Sequence, residues 1–492
     1  MNKISPSNSA TDAARLPHLW VAVLPVVFLL GCLISIMVAK GSDAIFDYSH
    51  WTLLAASGLA LTLSLLTRTL DLKRLANGLR RSATQILPAI PLLILIAMIA
   101  ATWLWSGVVP TLIDYGIRLL NPTFFLVVTC LVCAVVSVLT GSSWTTIATI
   151  GVAFIGIGRI MGYEEGWIAG AIISGAYFGD KVSPLSDTTV IASSSCGVDL
   201  FDHIRFLMQT SIPALIVALI VYLGVGFVTD TSAIESGSAE IIDMIHSVFF
   251  ITPWTLLIPL VVLVMIACRI RTLITLAVGT LLGIVGMFIF QPAIFDTLAS
   301  PDASRFMTTL HILWSETSLT TGMPTLDDLM STGGITGMLP TVMLVLCAMV
   351  FGGVMLGTGM LAVIARAFTS RLSRRRSIVG ATVGSGLFLN ACTADQYLSI
   401  IIGGNMYRDV YDRYSLPPRL LSRTLEDSIS VTSVLIPWNS CGVTQSTVLG
   451  VATLVYLPFC IFNYLSPLMT LIRSWRASSS GILKTAEPDP VL

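Results

Sequence analysis

Apolar residues in this chain come in long unbroken runs, separated by short polar or basic stretches. Runs near 20 residues are the length of a membrane-crossing helix, and without period-2 alternation they do not fit barrel strands. The pattern predicts full spans at residues 19–38, 51–66, 86–106 and 206–227, and again at 254–268, 273–290, 337–359 and 448–465. Two further runs, 166–195 and 426–445, are interrupted by polar residues and are expected to be broken helices. Two others, 122–161 and 378–404, have a polar waist, Gly141-Ser142-Ser143 in the first and Asn390 to Gln396 in the second. Basic residues flank 378–404 on both sides, and arms of about a dozen residues are too short to span, so these are expected to be re-entrant hairpins.

Composition agrees. Of 492 residues 55% are hydrophobic and 11% charged, with no net charge, whereas a soluble chain carries about 25% charged residues. No nucleic-acid signature, Walker-type phosphate loop or nucleophile–base pair is visible, so an ATP-driven pump or an enzyme is not expected, nor any cofactor. The nine cysteines lie mostly in apolar runs and predict core thiols, Cys130 and Cys133 included. A channel fits poorly, because broken helices and hairpins suit alternating access.

Charge supplies the topology. The stretch 68–81 holds Arg68, Lys73, Arg74, Arg80 and Arg81, and five arginines lie in 366–376, so both are expected to be cytoplasmic. Segments 230–243 and 296–328 are acidic and expected outside. Five crossings from a cytoplasmic tail (1–17) make a first repeat over 18–229. An extracytoplasmic linker (230–251) leads to a second repeat (252–466) and a cytoplasmic tail (467–492). Because five is odd, the repeats run in opposite senses. The expected fold is therefore an all-α polytopic membrane protein of two inverted-topology repeats, each with a re-entrant hairpin and a broken transmembrane helix. A shift of 250 positions lays Leu139 on Leu389, Gly141 on Ala391, Ser183 on Ser433 and Gly107 on Gly357.

Two hairpin tips and two breaks then bring polar groups to mid-membrane, where a charge costs roughly 2.5–3.5 kcal/mol and persists only facing protein or water. The oxygens available to a hard cation are Ser142, Ser143 and Thr145; Asp180, Ser183, Ser186, Asp187 and Thr188; Asn390, Thr393 and Asp395; and Glu426, Asp427, Thr432, Ser433 and Asn439. Asp180, Asp187 and Asp395 are the first choices for exchange, Asp187 doubling as a helix cap. Asp180 beside Lys181 also admits a structural ion pair, and Glu426-Asp427 the start of a helix. His203 is expected in a loop. A desolvated carboxylate holds a proton that a bound cation displaces, so proton and sodium compete for one site.

Leu139-Thr-Gly-Ser-Ser-Trp144, Gly179-Asp-Lys-Val-Ser-Pro-Leu-Ser-Asp-Thr-Thr189, Asp395-Gln-Tyr-Leu-Ser399, Ser422-Arg-Thr-Leu-Glu-Asp427 and Ile436-Pro-Trp-Asn439 resemble the NhaC family of Na⁺/H⁺ antiporters. The resemblance implies a multi-pass protein of a bacterial inner membrane that binds small cations, with both termini cytoplasmic, an elevator-like movement of the hairpin domain and room for a homodimer. It also implies an alternative, since relatives exchange sodium-lactate for malate and protons: a cation- or proton-coupled carrier of a small organic anion or amino acid. Val190-Ile-Ala-Ser-Ser-Ser195 stands where the family often has Asn-Leu-Ala-Pro, and Lys181 is the candidate charge partner for an organic anion.

Overall fold

A computed structural model describes residues 16–41, 44–229, 232–299, 304–321, 327, 329–369, 372 and 374–479. Of the expected tails, residues 1–15 and 480–492 lie outside these, as do parts of the acidic loops and the stretch 370–373 except Leu372. Among the described residues, eight helices are long and apolar enough to cross a membrane, or up to ten if each of two sharply bent pairs is one span. The protein is a multi-pass helical membrane protein. Helices satisfy their own backbone groups, which is what a chain crossing lipid requires. The one strand pair among the described residues joins Thr317–Ser318 to Ser331–Thr332 in an acidic loop.

The first interrupted run forms as expected. Helix Glu165–Val182 stops at Ser183, and a second helix, Asp187–Ser195, starts after the cap residue Ser186. The cause is local, because Pro184 cannot donate to a helix ladder and disfavours helix at the residue before it. Helix Pro418–Leu425 likewise runs into a single wide π-turn, Glu426–Ser430, then a 3₁₀ turn, and a new helix, Ser440–Leu449, is capped by the Asn439 side chain. Wide turns of this kind recur at functional positions in helices.

Three expectations change. The arms of the second hairpin, Arg375–Thr393 and Gln396–Arg413, are about 19 and 18 residues, not a dozen, because the helix continues through the arginines taken for loop. The basic stretch 68–81 is mostly helix Leu72–Ile86, started by Asp71 accepting from the amides of Lys73 and Arg74. The expected span 448–465 is divided between the bent pair over 440–459 and a further helix, Ile461–Ser479, which continues into the stretch read as tail. Pro467 sits inside it, and Ser466, Thr470 and Ser474 are buried. Residues 440–459 form a pair of helices bent by 92°.

The first hairpin packs closely on the first broken helix, with only short side chains between them, and the Ser137 hydroxyl donates to the Ala176 carbonyl at 2.6 Å. Helix Phe125–Thr140 lies along Glu165–Val182, and a Cβ on Gly175 would fall 2.9 Å from the carbonyl carbon of Cys130. One on Gly179 would fall 2.6 Å from the Ser137 Cβ. Small residues permit such close helix approach in membranes.

Candidate functional site

The two hairpin tips are built alike. In the first, Gly141 is left-handed (φ 66°) and Ser142 caps the next helix, accepting from the Thr145 amide at 3.2 Å. In the second, Ala394 is left-handed (φ 53°) and Asp395 caps, accepting from the Leu398 amide at 2.8 Å. Thr140 and Thr393 each accept from the amide two residues on, and donate back to that residue's carbonyl at 3.1 and 2.9 Å. Thr146 and Ser399 donate to the same carbonyls. Each pair is separated by 253 positions, three more than the sequence comparison gave. Helix Phe125–Thr140 and helix Arg375–Thr393 start 250 apart, but the second has three more residues. The left-handed Gly107 and Gly359, 252 positions apart, each stand just before a helix.

The tips touch the breaks through side chains at the same 253-residue spacing. Ser143 donates both its amide (3.1 Å) and its hydroxyl (2.7 Å) to Asp180 Oδ2, and Ser186 is the further hydroxyl facing that carboxylate. Ser433 donates to Gln396 Oε1 at 3.2 Å. The second tip is tied in further: the Ser440 amide donates to the Ala394 carbonyl, the Ser440 hydroxyl reaches Asp395 Oδ2 at 3.4 Å, and Asn439 Nδ2 donates to the Asn390 carbonyl.

A cavity of about 500 Å³ opens beside Asp180. Its polar wall comes from the first tip (Thr140, Ser142), the first break (Asp180, Ser186, Asp187, Thr188) and the second hairpin (Gln396, Tyr397). Asp187 is exposed there, whereas Asp180 is 9% exposed. Of the residues singled out from sequence, five therefore line one space: Ser142, Asp180, Ser186, Asp187 and Thr188. Thr140, Trp144, Gln396 and Tyr397 line it too and were missed. The signal was available in Thr140-Gly141-Ser142 and Thr393-Ala394-Asp395, the same small-residue turn at two places.

The remaining candidates brace or lie deeper. Ser183 donates to the Val138 carbonyl, Thr393 and Thr432 bond to backbone carbonyls, and Asn390 Nδ2 donates to the Ile429 carbonyl at 2.7 Å. Asp395 is 2% exposed. Lys181 does not pair with its neighbour Asp180. Its ammonium donates to Asp427 and, at 2.6 Å, to Ser466. Asp427 also accepts from Ser466, Thr210 and Thr470. Its oxygens are thus occupied by the Lys181 ammonium and three hydroxyls, and Lys181 is not among the residues that line the cavity. Glu426, one residue earlier, is different. It is fully buried, faces the hydroxyls of Thr188 and Ser430, and has no hydrogen-bond partner on either oxygen among the described residues. His203 is buried in helix Leu200–Val228 rather than in a loop, with Nδ1 2.8 Å from the Ser422 hydroxyl.

The model of the Na⁺/H⁺ antiporter family matches residues 175–475, which include both breaks and the second hairpin. The Na⁺/H⁺ antiporter NhaC of Alkalihalophilus pseudofirmus is 38% identical over 77% of this chain and 80% of its own length. The chain belongs to the NhaC family of Na⁺/H⁺ antiporters. Other relatives carry different names. The malate-2H⁺/Na⁺-lactate antiporter of Bacillus subtilis is 34% identical over 80% of this chain and 82% of its own. The arginine/ornithine antiporter ArcD of Halobacterium salinarum is 33% identical over 94% and 92%. This NhaC-family chain is therefore similar over most of its length to antiporters named for different cargo.

Proposed function

We propose that the protein exchanges Na⁺ for H⁺ across a bacterial inner membrane by alternating access, with the cation held at the cavity between the first hairpin tip and the first break. The observation that carries this reading is Asp180. Its carboxylate is anchored by Ser143 from the tip, faces Ser186, and borders the cavity. Asp187 and the oxygens of Ser142, Ser186 and Thr188 complete an all-oxygen wall of the kind a hard cation prefers. Proton and sodium compete for these carboxylates, so neither leaves without the other arriving. The matched hydrogen bonds of the two tips support a pair of repeats, related by inversion as the charge topology requires. Pro88, Ala89, Thr272 and Leu273 also line the cavity, and the basic residues that precede them in sequence support an opening towards the cytoplasm.

The test is reconstitution into liposomes with a trapped pH dye and an imposed pH gradient. Sodium alone should dissipate the gradient, and protein carrying Asp180→Asn should not. A gradient that sodium leaves intact, in vesicles shown to contain folded protein, would remove sodium–proton exchange as the activity.

A further inference from the structure

Arginines from three helices gather at one end of the bundle, against a fourth. Arg375 opens helix Arg375–Thr393, Arg419 and Arg423 lie on Pro418–Leu425, and Arg473 lies in the last turns of Ile461–Ser479. The fourth helix, Leu200–Val228, supplies Phe206, whose ring centre is 4.3 Å from the Arg423 Cζ and 5.1 Å from the Arg419 Cζ. Arg375 and Arg473 both lie close enough to act on the Arg423 charge.

Acid to match them is missing. Among the described residues, Asp427 is the one carboxylate within ion-pair distance of any of the four, 4.0 Å from Arg423 Nε. Its oxygens already accept from Lys181, Ser466, Thr210 and Thr470. Arg423 is 2% exposed, yet its Nε has no hydrogen-bond partner among the described residues. Nor have Nε and Nη1 of Arg375, both closed off from the surface. Arg473 gives one Nη to the Gln209 carbonyl, and Arg419 is exposed. Buried guanidinium donors are nearly always bonded, so three left over in one cluster call for an acceptor that the chain does not supply.

We propose that this arginine cluster binds a phosphate group, as the free ion or as the headgroup of an acidic lipid. Guanidinium forks meet phosphate oxygens two at a time, which a lysine cannot do. Basic pockets between membrane helices on the cytoplasmic side hold lipid headgroups in this way. Arg423 and Arg375 form the floor, Arg419 and Arg473 the rim, and the Phe206 ring steadies the Arg419 and Arg423 planes. Phe201 and Trp475, exposed at the same ends of their helices, offer acyl chains an apolar surface. None of the four arginines lines the cavity beside Asp180, so the inference is independent of the sodium–proton reading. Occupancy ties the second hairpin and the second break to two spans, and therefore stabilises the fold.

The experiment is thermal unfolding of the full chain, delipidated in an uncharged detergent, with inorganic phosphate, phosphatidylglycerol or phosphatidylcholine added at constant ionic strength. Phosphate or phosphatidylglycerol should raise the midpoint by several degrees. A response to free phosphate assigns the site to the ion, and a response to phosphatidylglycerol alone assigns it to a headgroup. Arg375→Gln, at the partly exposed edge, should lose most of the shift with an unchanged size-exclusion profile, and Arg423→Gln should lose all of it. No shift with either additive would overturn the inference. So would equal stabilisation by phosphatidylcholine, which has no net charge, or a shift that survives in both variants.

Discussion

Lys181, in the last turn before the first break, forms an ion pair with Asp427, in the π-turn of the second, with side chains 1% and 0% exposed. The pair ties together elements 246 positions apart. Removing one partner of a buried pair strands the other charge, at a cost of about 3–5 kcal/mol. Lys181→Met or Asp427→Leu alone should therefore lower thermal stability in detergent, and the double variant should recover much of the loss. Single variants as stable as the parent would show that the pair does not hold the breaks together.

Asp180→Asn preserves shape but removes the charge at the cavity wall. It should insert and fold normally yet lose sodium-driven proton movement by at least a hundredfold in the dye assay. Ser143→Ala keeps the backbone amide on Asp180 Oδ2 and loses only the hydroxyl. One hydrogen bond to a charged group contributes about 1.5–3 kcal/mol, so apparent sodium affinity should weaken by roughly ten- to a hundredfold. Wild-type affinity in Ser143→Ala would detach the hairpin tip from cation binding.

Competition between proton and sodium at one carboxylate has a definite sign. Raising pH deprotonates the site, so less sodium is needed to half-saturate it. The half-saturating concentration should fall by up to about tenfold per pH unit and level off once the site is fully ionised. A half-saturating concentration constant from pH 6 to 9 would mean that the two ions use separate sites.

The two tips predict opposite responses to exchange of one methyl group. Gly141 is left-handed, and a Cβ there would fall 2.6 Å from the Leu185 carbonyl carbon in the break. Gly141→Ala should therefore cut both folded yield and transport. Ala394 already holds the strained conformation, so Ala394→Gly should be tolerated, with thermal stability within a few degrees of the parent. Equal damage from both substitutions would contradict the tip geometry.

What the sequence carried and what it hid follow from the range of each interaction. The first break was legible because Pro184 and its polar neighbours act on the backbone beside them. The second hairpin was read as too short because Arg375 and Arg413 look like loop residues, although the helix extends through them. The helix Ile461–Ser479 was not foreseen because Ser466 and Thr470 look like the end of an apolar run, when both turn inward to Asp427. Glu426 and Asp427 looked like a matched pair. Only the fold shows that Asp427 is partnered by Lys181, Thr210 and Thr470, which arrive from distant parts of the chain, while Glu426 faces the hydroxyls of Thr188 and Ser430.

The close contact at Gly175 and Gly179 has a mechanical consequence. Where two helices touch through backbone and the short side chains of Cys133 and Ser137, few torsions are left to give under load, and the joint is stiff. Because Ser143 and Asp180 stand at the two sides of that joint, a stiff seam between the helices should make the first hairpin tip and the first break move as one body.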